Sequence, residues 1–136
     1  MSKTLCIFGS RSLVGESVER IIHQEIELYK PEMIITSGNT YGVCEVGRDI
    51  AKTLCIPLKV HFINNTKYAQ GKYEHRSKAI LKETDFCIFI HDGKSKGTLN
   101  EMKLCDKLGV KYKYFKIDEH LLDITFSLEN LKIDFA

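Results

Sequence analysis

Residues 91–101 read His91-Asp92-Gly93-Lys94-Ser95-Lys96-Gly97-Thr98-Leu99-Asn100-Glu101. This stretch follows an uninterrupted apolar run, Phe86 to Ile90, and leads into a helical pattern that extends to Leu108. A strand that ends in a glycine-bearing turn and opens into a helix leaves backbone N–H groups unpaired, and the helix start carries partial positive charge. The stretch therefore predicts a strand–turn–helix unit with an anion site. Phosphate is the anion that we expect first, which points to a nucleotide or a phosphosugar as the ligand.

The same unit recurs along the chain. The predicted strands are Leu5–Phe8, Met33–Thr36, Leu58–Phe62, Phe86–Ile90 and, at the sheet edge, Lys111–Lys116. The predicted helices are Val14–Tyr29, a segment from Val43 to Leu54, Lys72–Lys82 and Leu99–Leu108. Short buried strands that alternate with amphipathic helices predict an α/β fold, a Rossmann-like three-layer sandwich with a central, mainly parallel sheet of about five strands and helices on both faces. Ligands of such sheets bind beyond the carboxyl ends of the strands.

Length and composition narrow the classes of protein. The 136 residues suit a single domain over residues 1–136, and we expect the apolar-rich segment 118–136 to be a C-terminal packing or dimerisation arm. A net charge of +2 gives little support for a nucleic-acid partner or a membrane surface. No apolar run approaches the roughly 18 residues of a membrane span, and the first residues look like a strand, not a signal peptide.

The number and spacing of the cysteines and histidines indicate the cellular compartment to expect and whether the chain has a metal-binding motif. The five cysteines are an odd number and contain no CxxC pair, so we expect reduced thiols and a cytoplasmic protein. The five histidines show no metal-ligand spacing, so we expect neither a metal nor a cofactor. His91, at the end of a strand, is the one histidine that we place near a ligand.

Four segments resemble motifs of the SLOG superfamily, a group of Rossmann-like nucleotide-binding proteins that includes the LOG phosphoribohydrolases, the YspA-like proteins and the DNA-processing protein DprA. Ile7-Phe8-Gly9-Ser10-Arg11 is similar to the first-strand signature of the YspA-like branch. Ser37-Gly38-Asn39-Thr40-Tyr41-Gly42-Val43 has the spacing of the LOG glycine turn. Glu74-His75-Arg76-Ser77-Lys78-Ala79 resembles the LOG segment H-E-R-K-A, and Gly97-Thr98-Leu99-Asn100-Glu101 matches G-T-x-x-E. The resemblance covers roughly residues 4–115.

The resemblance implies a reaction and a site. LOG enzymes hydrolyse the N-glycosidic bond of nucleoside 5′-monophosphates, and the positions matching their catalytic pair are Glu101 and Arg76. Glu101 would stabilise an oxocarbenium-like centre and orient water, and Arg76 would hold phosphate or ribose. The predicted ligand-binding and phosphate-binding residues are Gly9, Ser10, Arg11, Ser37, Gly38, Asn39, Thr40, Gly42, His91, Asp92, Gly93, Ser95, Lys96, Gly97 and Thr98. The family also implies a homodimer.

Other interpretations stay open at this point. The Pro-Gly-Gly of LOG enzymes is replaced by the longer His91–Lys96 loop, which favours a non-catalytic sensor or sequestering protein for a nucleotide signal. Asp92 with Glu101 is similar to a pattern of the nucleoside deoxyribosyltransferases. A DprA-like single-stranded DNA module would use the basic–aromatic stretch from Lys67 to Lys78, although the low net charge argues against it. Finally, Thr98 and Glu101 have the spacing of a capping box with no chemistry, and Arg76 alone is typical of a solvated helix charge.

Overall fold

The computed structural model describes residues 3–63, 71–118 and 123–129. Strands and helices alternate along these residues. The strands are β1 (Thr4–Gly9), β2 (Met33–Ser37), β3 (Leu58–His61), β4 (Phe86–His91), β5 (Lys111–Asp118) and β6 (Asp123–Glu129). The helices are α1 (Glu16–Tyr29), α2 (Val43–Thr53), α3 (Lys72–Lys82) and α4 (Lys96–Leu108). None of the helices within these residues is both long and apolar enough to cross a bilayer.

The six strands form one sheet in the order β3-β2-β1-β4-β5-β6. β1 to β5 run parallel, and β6 pairs antiparallel with β5. The prediction of a mainly parallel sheet is confirmed, whereas the prediction of β5 as an edge strand is wrong. The sixth strand lies in the segment expected to be an arm, where Ile124, Phe126 and Leu128 alternate with polar residues. That alternation is the pattern of a strand, which the expectation of a packing arm did not include.

The core divides into two clusters, one on each face of the sheet. Along β1, Leu5 and Ile7 point to one face and Cys6 and Phe8 to the other, because successive strand side chains alternate. The Leu5 face is covered by α1 and α2, through residues such as Val18, Ile21, Ile50 and Ala51. The Cys6 face is covered by α3 and α4, through Ile80, Leu81 and Cys105. Helices therefore cover both faces, as predicted.

Two helices begin at other residues than the periodicity predicts. α1 begins at Glu16 and not at Val14, because Gly15 takes a φ of 101°, a backbone conformation that ends a regular helix. α4 begins at Lys96, three residues before Leu99. The carboxylate of Asp92 accepts the N–H groups of Lys94 and Ser95, each at 2.8 Å, and this turn places Ser95 at the N-cap. The capping-box interpretation is therefore wrong, since Thr98 lies inside the first turn.

The sheet order creates a crevice between β1 and β4. The chain continues from β1 to β2 on one side and from β4 to β5 on the other, so the loops after β1 and β4 diverge. Gly9 holds this junction together, since an added Cβ would lie 2.4 Å from the Ile90 carbonyl oxygen and 2.6 Å from Cβ of Val43. The Ser10 N–H then donates to the Ile90 carbonyl at 3.0 Å. The two loops are thereby fixed side by side at the carboxyl edge.

Candidate functional site

A cavity of about 950 Å³ opens at this crevice and extends between α3 and α4. Its size lies at the upper end of the range for small-molecule sites, roughly 300–1,000 Å³. The lining residues are Gly9, Ser10, Arg11, Ser12, Asn39, Gly71, Tyr73, Glu74, Arg76, Ser77, Ser95, Gly97, Thr98, Asn100, Glu101, Lys103, Leu104 and Lys107. Both residues predicted to be catalytic, Arg76 and Glu101, lie in it.

The first turn of α4 forms one end of the cavity. Ser95, Gly97 and Thr98 line it, and the N–H groups at the start of a helix have no partner four residues earlier in the same helix. An added Cβ at Gly97 would meet no atom within 4 Å, so the backbone of this turn is open to an incoming group. The positive end of the helix dipole adds to the attraction for an anion. This end of the cavity can therefore hold a phosphate.

Two arginines from different elements converge beside that turn. Nη1 of Arg76 donates to Oδ1 of Asn39 at 3.0 Å, and Nη2 of Arg11 donates to the same oxygen at 3.3 Å. Both guanidinium groups also lie over the ring of Tyr73, at 5.4 Å and 6.0 Å from its centroid. The amide and the ring hold two like charges close together. The result is a concentrated positive potential on the α3 side of the cavity.

Arg76 is buried, with 8% of its surface exposed, so the interpretation as a solvated helix charge is wrong. Its Nε is buried and, within the described residues, has no hydrogen-bond partner. Burial lowers the pKa of Arg76, and the nearby carboxyl of Glu101 opposes that shift. Burial of the guanidinium is costly, because its desolvation is not fully offset. An anion in the cavity beside this charge would offset part of the cost.

Glu101 projects from α4 toward α3, where the Ser77 hydroxyl donates to its Oε2 at 3.0 Å. The residue is half-buried and lines the cavity. Burial raises the pKa of Glu101 to about 7, against the lowering effects of the Ser77 hydroxyl and of the positive charges of Arg76 and Arg11. A carboxyl with a pKa near neutrality exchanges protons readily at that pH, which suits a general base.

His91 and Asp92 lie behind the cavity and support its loop. The ring nitrogens of buried His91 contact the Tyr114 hydroxyl at 2.7 Å and the Ser95 carbonyl at 2.9 Å. Since a carbonyl only accepts, Nε2 carries a proton and donates to it. Asp92 accepts hydrogen bonds from the hydroxyls of Ser12 and Ser95 as well as from the two loop N–H groups. Burial alone would raise the pKa of Asp92, but these bonds outweigh it and hold the pKa well below its usual range.

The second glycine turn contributes one side chain, Asn39, to the cavity. Ser37 is fully buried, and its carbonyl accepts a hydrogen bond from Nη1 of Arg48 at 2.7 Å. Gly38 lies under the ring of Phe62, and Gly42, with φ of 83°, packs on the backbone of Arg11. The other predicted ligand residues that are not among the lining residues are Thr40, Gly93 and Lys96. In this structure the turn mainly positions Arg11 and Asn39.

Several lining residues were missed by the sequence analysis. Ser77 is the most important of them, because it bonds directly to Glu101. Helical spacing was the available signal: Tyr73 and Ser77 are four residues apart on α3, and residues 97, 100, 101, 104 and 107 share one face of α4. Of the stretch proposed for single-stranded DNA, Lys67 and Tyr68 lie outside the described residues.

All five cysteines are free, and all except Cys55 are buried. Over the described ranges, no three His, Cys, Asp or Glu side chains are grouped so that they could hold a metal ion.

The amino-acid sequence matches no protein-family model and no curated protein.

Proposed function

We propose that this chain binds a nucleotide or nucleotide-derived ligand in the cavity between α3 and α4 and hydrolyses its N-glycosidic bond, releasing the free base. One observation carries the proposal: Glu101, a carboxyl with a pKa of about 7, shares a cavity with an open helix N-terminus and with a buried, unsatisfied arginine. The reaction class comes from the resemblance of Arg76 and the Gly97–Glu101 segment to LOG enzymes of the SLOG superfamily.

The ligand's phosphate is assigned to the first turn of α4. There it accepts hydrogen bonds from the N–H groups of Gly97 and Thr98, two residues that line the cavity. Arg76 lines the same cavity and attracts a phosphate or ribose oxygen through its positive charge, while its Nη1 keeps the bond to Asn39. The positive charges of Arg76 and Arg11 beside the α4 N-terminus are the physical reason for expecting an anionic ligand.

In the proposed reaction, water attacks the anomeric carbon C1′ of the ribose. The bond from C1′ to the base nitrogen breaks, and its electron pair leaves with the base. The ionised Glu101 takes a proton from the attacking water and stabilises the positive charge that develops at the sugar. The departing base takes up the proton that Glu101 removed from water, so that the products are the free base and the sugar phosphate and Glu101 is ionised again.

A single carboxylate is sufficient for this direct attack by water. Asp92, the partner suggested by the deoxyribosyltransferase pattern, uses both of its oxygens inside the loop. Glu74 also lines the cavity, and its carboxylate lies 3.3 Å from Nζ of Lys78. The proposal therefore assigns the reaction to Glu101 alone, with Ser77 as the residue that positions it.

The test is a panel of nucleoside 5′-monophosphates and their deoxy forms, incubated with the purified chain. Melting temperature reports binding, and chromatography reports free base. The proposal expects at least one nucleotide to raise the melting temperature and to release its base. Binding without any product after long incubation would contradict hydrolysis and leave a nucleotide sensor. If no nucleotide shifts the melting temperature, the whole proposal fails.

A further inference from the structure

The cavity is longer than the site assigned to the first phosphate. One face of α4 lines it from Gly97 to Lys107, through Asn100, Glu101 and Leu104. At a rise of about 1.5 Å per residue these ten steps cover about 15 Å. A phosphate at Gly97 and a sugar at Glu101 occupy only the first part of this length, so the half beyond Glu101 has no assigned occupant.

The far half carries two positive charges. Lys103 and Lys107 are four residues apart and therefore lie on the same side of α4. Both are exposed and line the cavity. Across the described parts of the chain neither forms an ion pair, and the carboxylate of Glu74, which lines the same cavity, lies beside Lys78 instead. The two ammonium groups are thus available to a ligand.

An apolar surface separates the two positive regions. Leu104 is half-buried and lines the cavity between Glu101 and Lys107. On the α3 side, the half-exposed ring of Tyr73 lies against the Arg76 guanidinium and belongs to the first positive region, so Leu104 provides the apolar contact beyond Glu101. The ligand that complements this surface has an anionic group, then an apolar group, then a second anionic group. A nucleotide unit with a phosphate at each end has its groups in that order.

We propose that the ligand of this cavity is of the dinucleotide type, with a first phosphate at the α4 N-terminus and a second anionic group at Lys103 and Lys107. The inference rests on the proposed function, since it extends the same site. The nucleoside between the two phosphates packs on Leu104, and the two lysines attract the internucleotide phosphate through charges that face solvent. A mononucleotide with a single 5′-phosphate leaves the two lysines without an anion.

The test compares two sets of ligands by calorimetry at low salt, in the Glu101→Gln chain so that neither set is hydrolysed. One set is AMP, GMP, CMP and UMP, and the other is the 5′-phosphorylated dinucleotides pApA, pGpG, pCpC and pUpU. For at least one base the dinucleotide should bind about tenfold more tightly than its mononucleotide. Adding Lys103→Gln and Lys107→Gln should remove most of that preference. The matched pair Lys52→Gln and Lys82→Gln, two exposed lysines outside the cavity, should retain it.

The outcomes separate the two proposals. Mononucleotide binding with no preference for a dinucleotide overturns this inference and leaves the proposed function standing. A preference that survives loss of both cavity lysines also overturns it, because the gain then comes from the second base and not from the internucleotide phosphate. If neither set binds, the proposed function and this inference fail together.

Discussion

The hydroxyl of Ser77 on α3 donates a hydrogen bond of 3.0 Å to Oε2 of Glu101 on α4. This bond crosses between the two helices that form the walls of the cavity, and it occupies one oxygen of the carboxylate. In the proposed reaction the other oxygen, Oε1, takes the proton from the attacking water. Because a hydroxyl donor favours the ionised form of a carboxyl, Ser77 both orients Glu101 and keeps its pKa from rising further.

Replacing Ser77 by alanine should raise the pKa of Glu101 above 7. A hydrogen bond to a charged group contributes roughly 1.5–3 kcal/mol, so a rise of about one pH unit is expected. Carbon-detected NMR titration of the Glu101 carboxyl measures this without any substrate. Ser77→Thr keeps the hydroxyl and should titrate close to the wild-type chain. An unchanged titration in Ser77→Ala would show that the hydroxyl does not influence the carboxyl.

Glu101→Gln should stabilise the fold, and only at high pH. The folded-state pKa of about 7 lies above the ordinary 4.5, so the folded chain binds this proton more tightly than the unfolded chain. That contribution is fully present below pH 4.5 and is lost as pH rises through 7. At pH 8 the free energy of unfolding of the variant should therefore be about 3 kcal/mol higher than that of wild type. At pH 4.5 the two free energies should differ little.

Urea unfolding at both pH values measures this difference. Glu27→Gln, at an exposed position on α1, is the matched control and should change the free energy of unfolding by less than about 0.5 kcal/mol at either pH. An equal effect of Glu101→Gln at pH 4.5 and pH 8 would mean that the Glu101 carboxyl is not held protonated by burial.

Arg76→Met should separate binding from stability. Removing the buried guanidinium also removes its desolvation cost and its unpaired Nε, so the free energy of unfolding should change by no more than about 1 kcal/mol. Nucleotide affinity should fall about 10-fold to 100-fold, since a charged donor to phosphate is lost. Calorimetry measures the affinity, with Arg20→Met on α1 as a control on the opposite face of the sheet. Undiminished affinity would remove Arg76 from the site.

Replacement of each of two glycines by alanine should change the free energy of unfolding in opposite directions. At Gly97 a Cβ meets no atom and the residue is helical, so Gly97→Ala should raise the free energy of unfolding by about 0.5–1 kcal/mol while weakening nucleotide binding at the α4 turn. At Gly9 a Cβ would clash with the Ile90 carbonyl oxygen and with Val43, and a loss of about 2–3 kcal/mol is expected. Urea unfolding of both variants checks this pair, and a Gly9→Ala chain as stable as wild type would contradict the packing described at β1.

Much of the fold could be predicted because the hydrophobic pattern of each segment matches the burial of that segment in the folded chain. Apolar runs such as Phe86 to Ile90 are buried on both faces, and helix α3 matches its predicted bounds, Lys72 to Lys82. The start of α4 could not be predicted, because it depends on the turn that Asp92 forms with two N–H groups and two hydroxyls. The sixth strand was missed because its partner strand had been placed at the edge of the sheet.

The site was predicted only in part, for a similar reason. Sequence motifs identified Arg76 and Glu101, and the structure places both in one cavity. The motifs do not show which of their residues line a cavity and which support it from behind. His91 and Ser37 are examples of supporting residues, since His91 is buried against Tyr114 and Ser37 is fully buried. Contacts between helices that are distant in sequence, such as Ser77 with Glu101, leave no local pattern.

The most direct measurement is the initial rate of free-base release at pH 8 from the nucleotide that stabilises the chain most. It is measured by chromatography for the wild-type chain, Glu101→Gln and Glu27→Gln. The account predicts release by wild type and Glu27→Gln, and a fall of at least about 100-fold in Glu101→Gln, in the range of general acid–base contributions. Undiminished release by Glu101→Gln, or no release by the wild-type chain from a nucleotide that it binds, would contradict it.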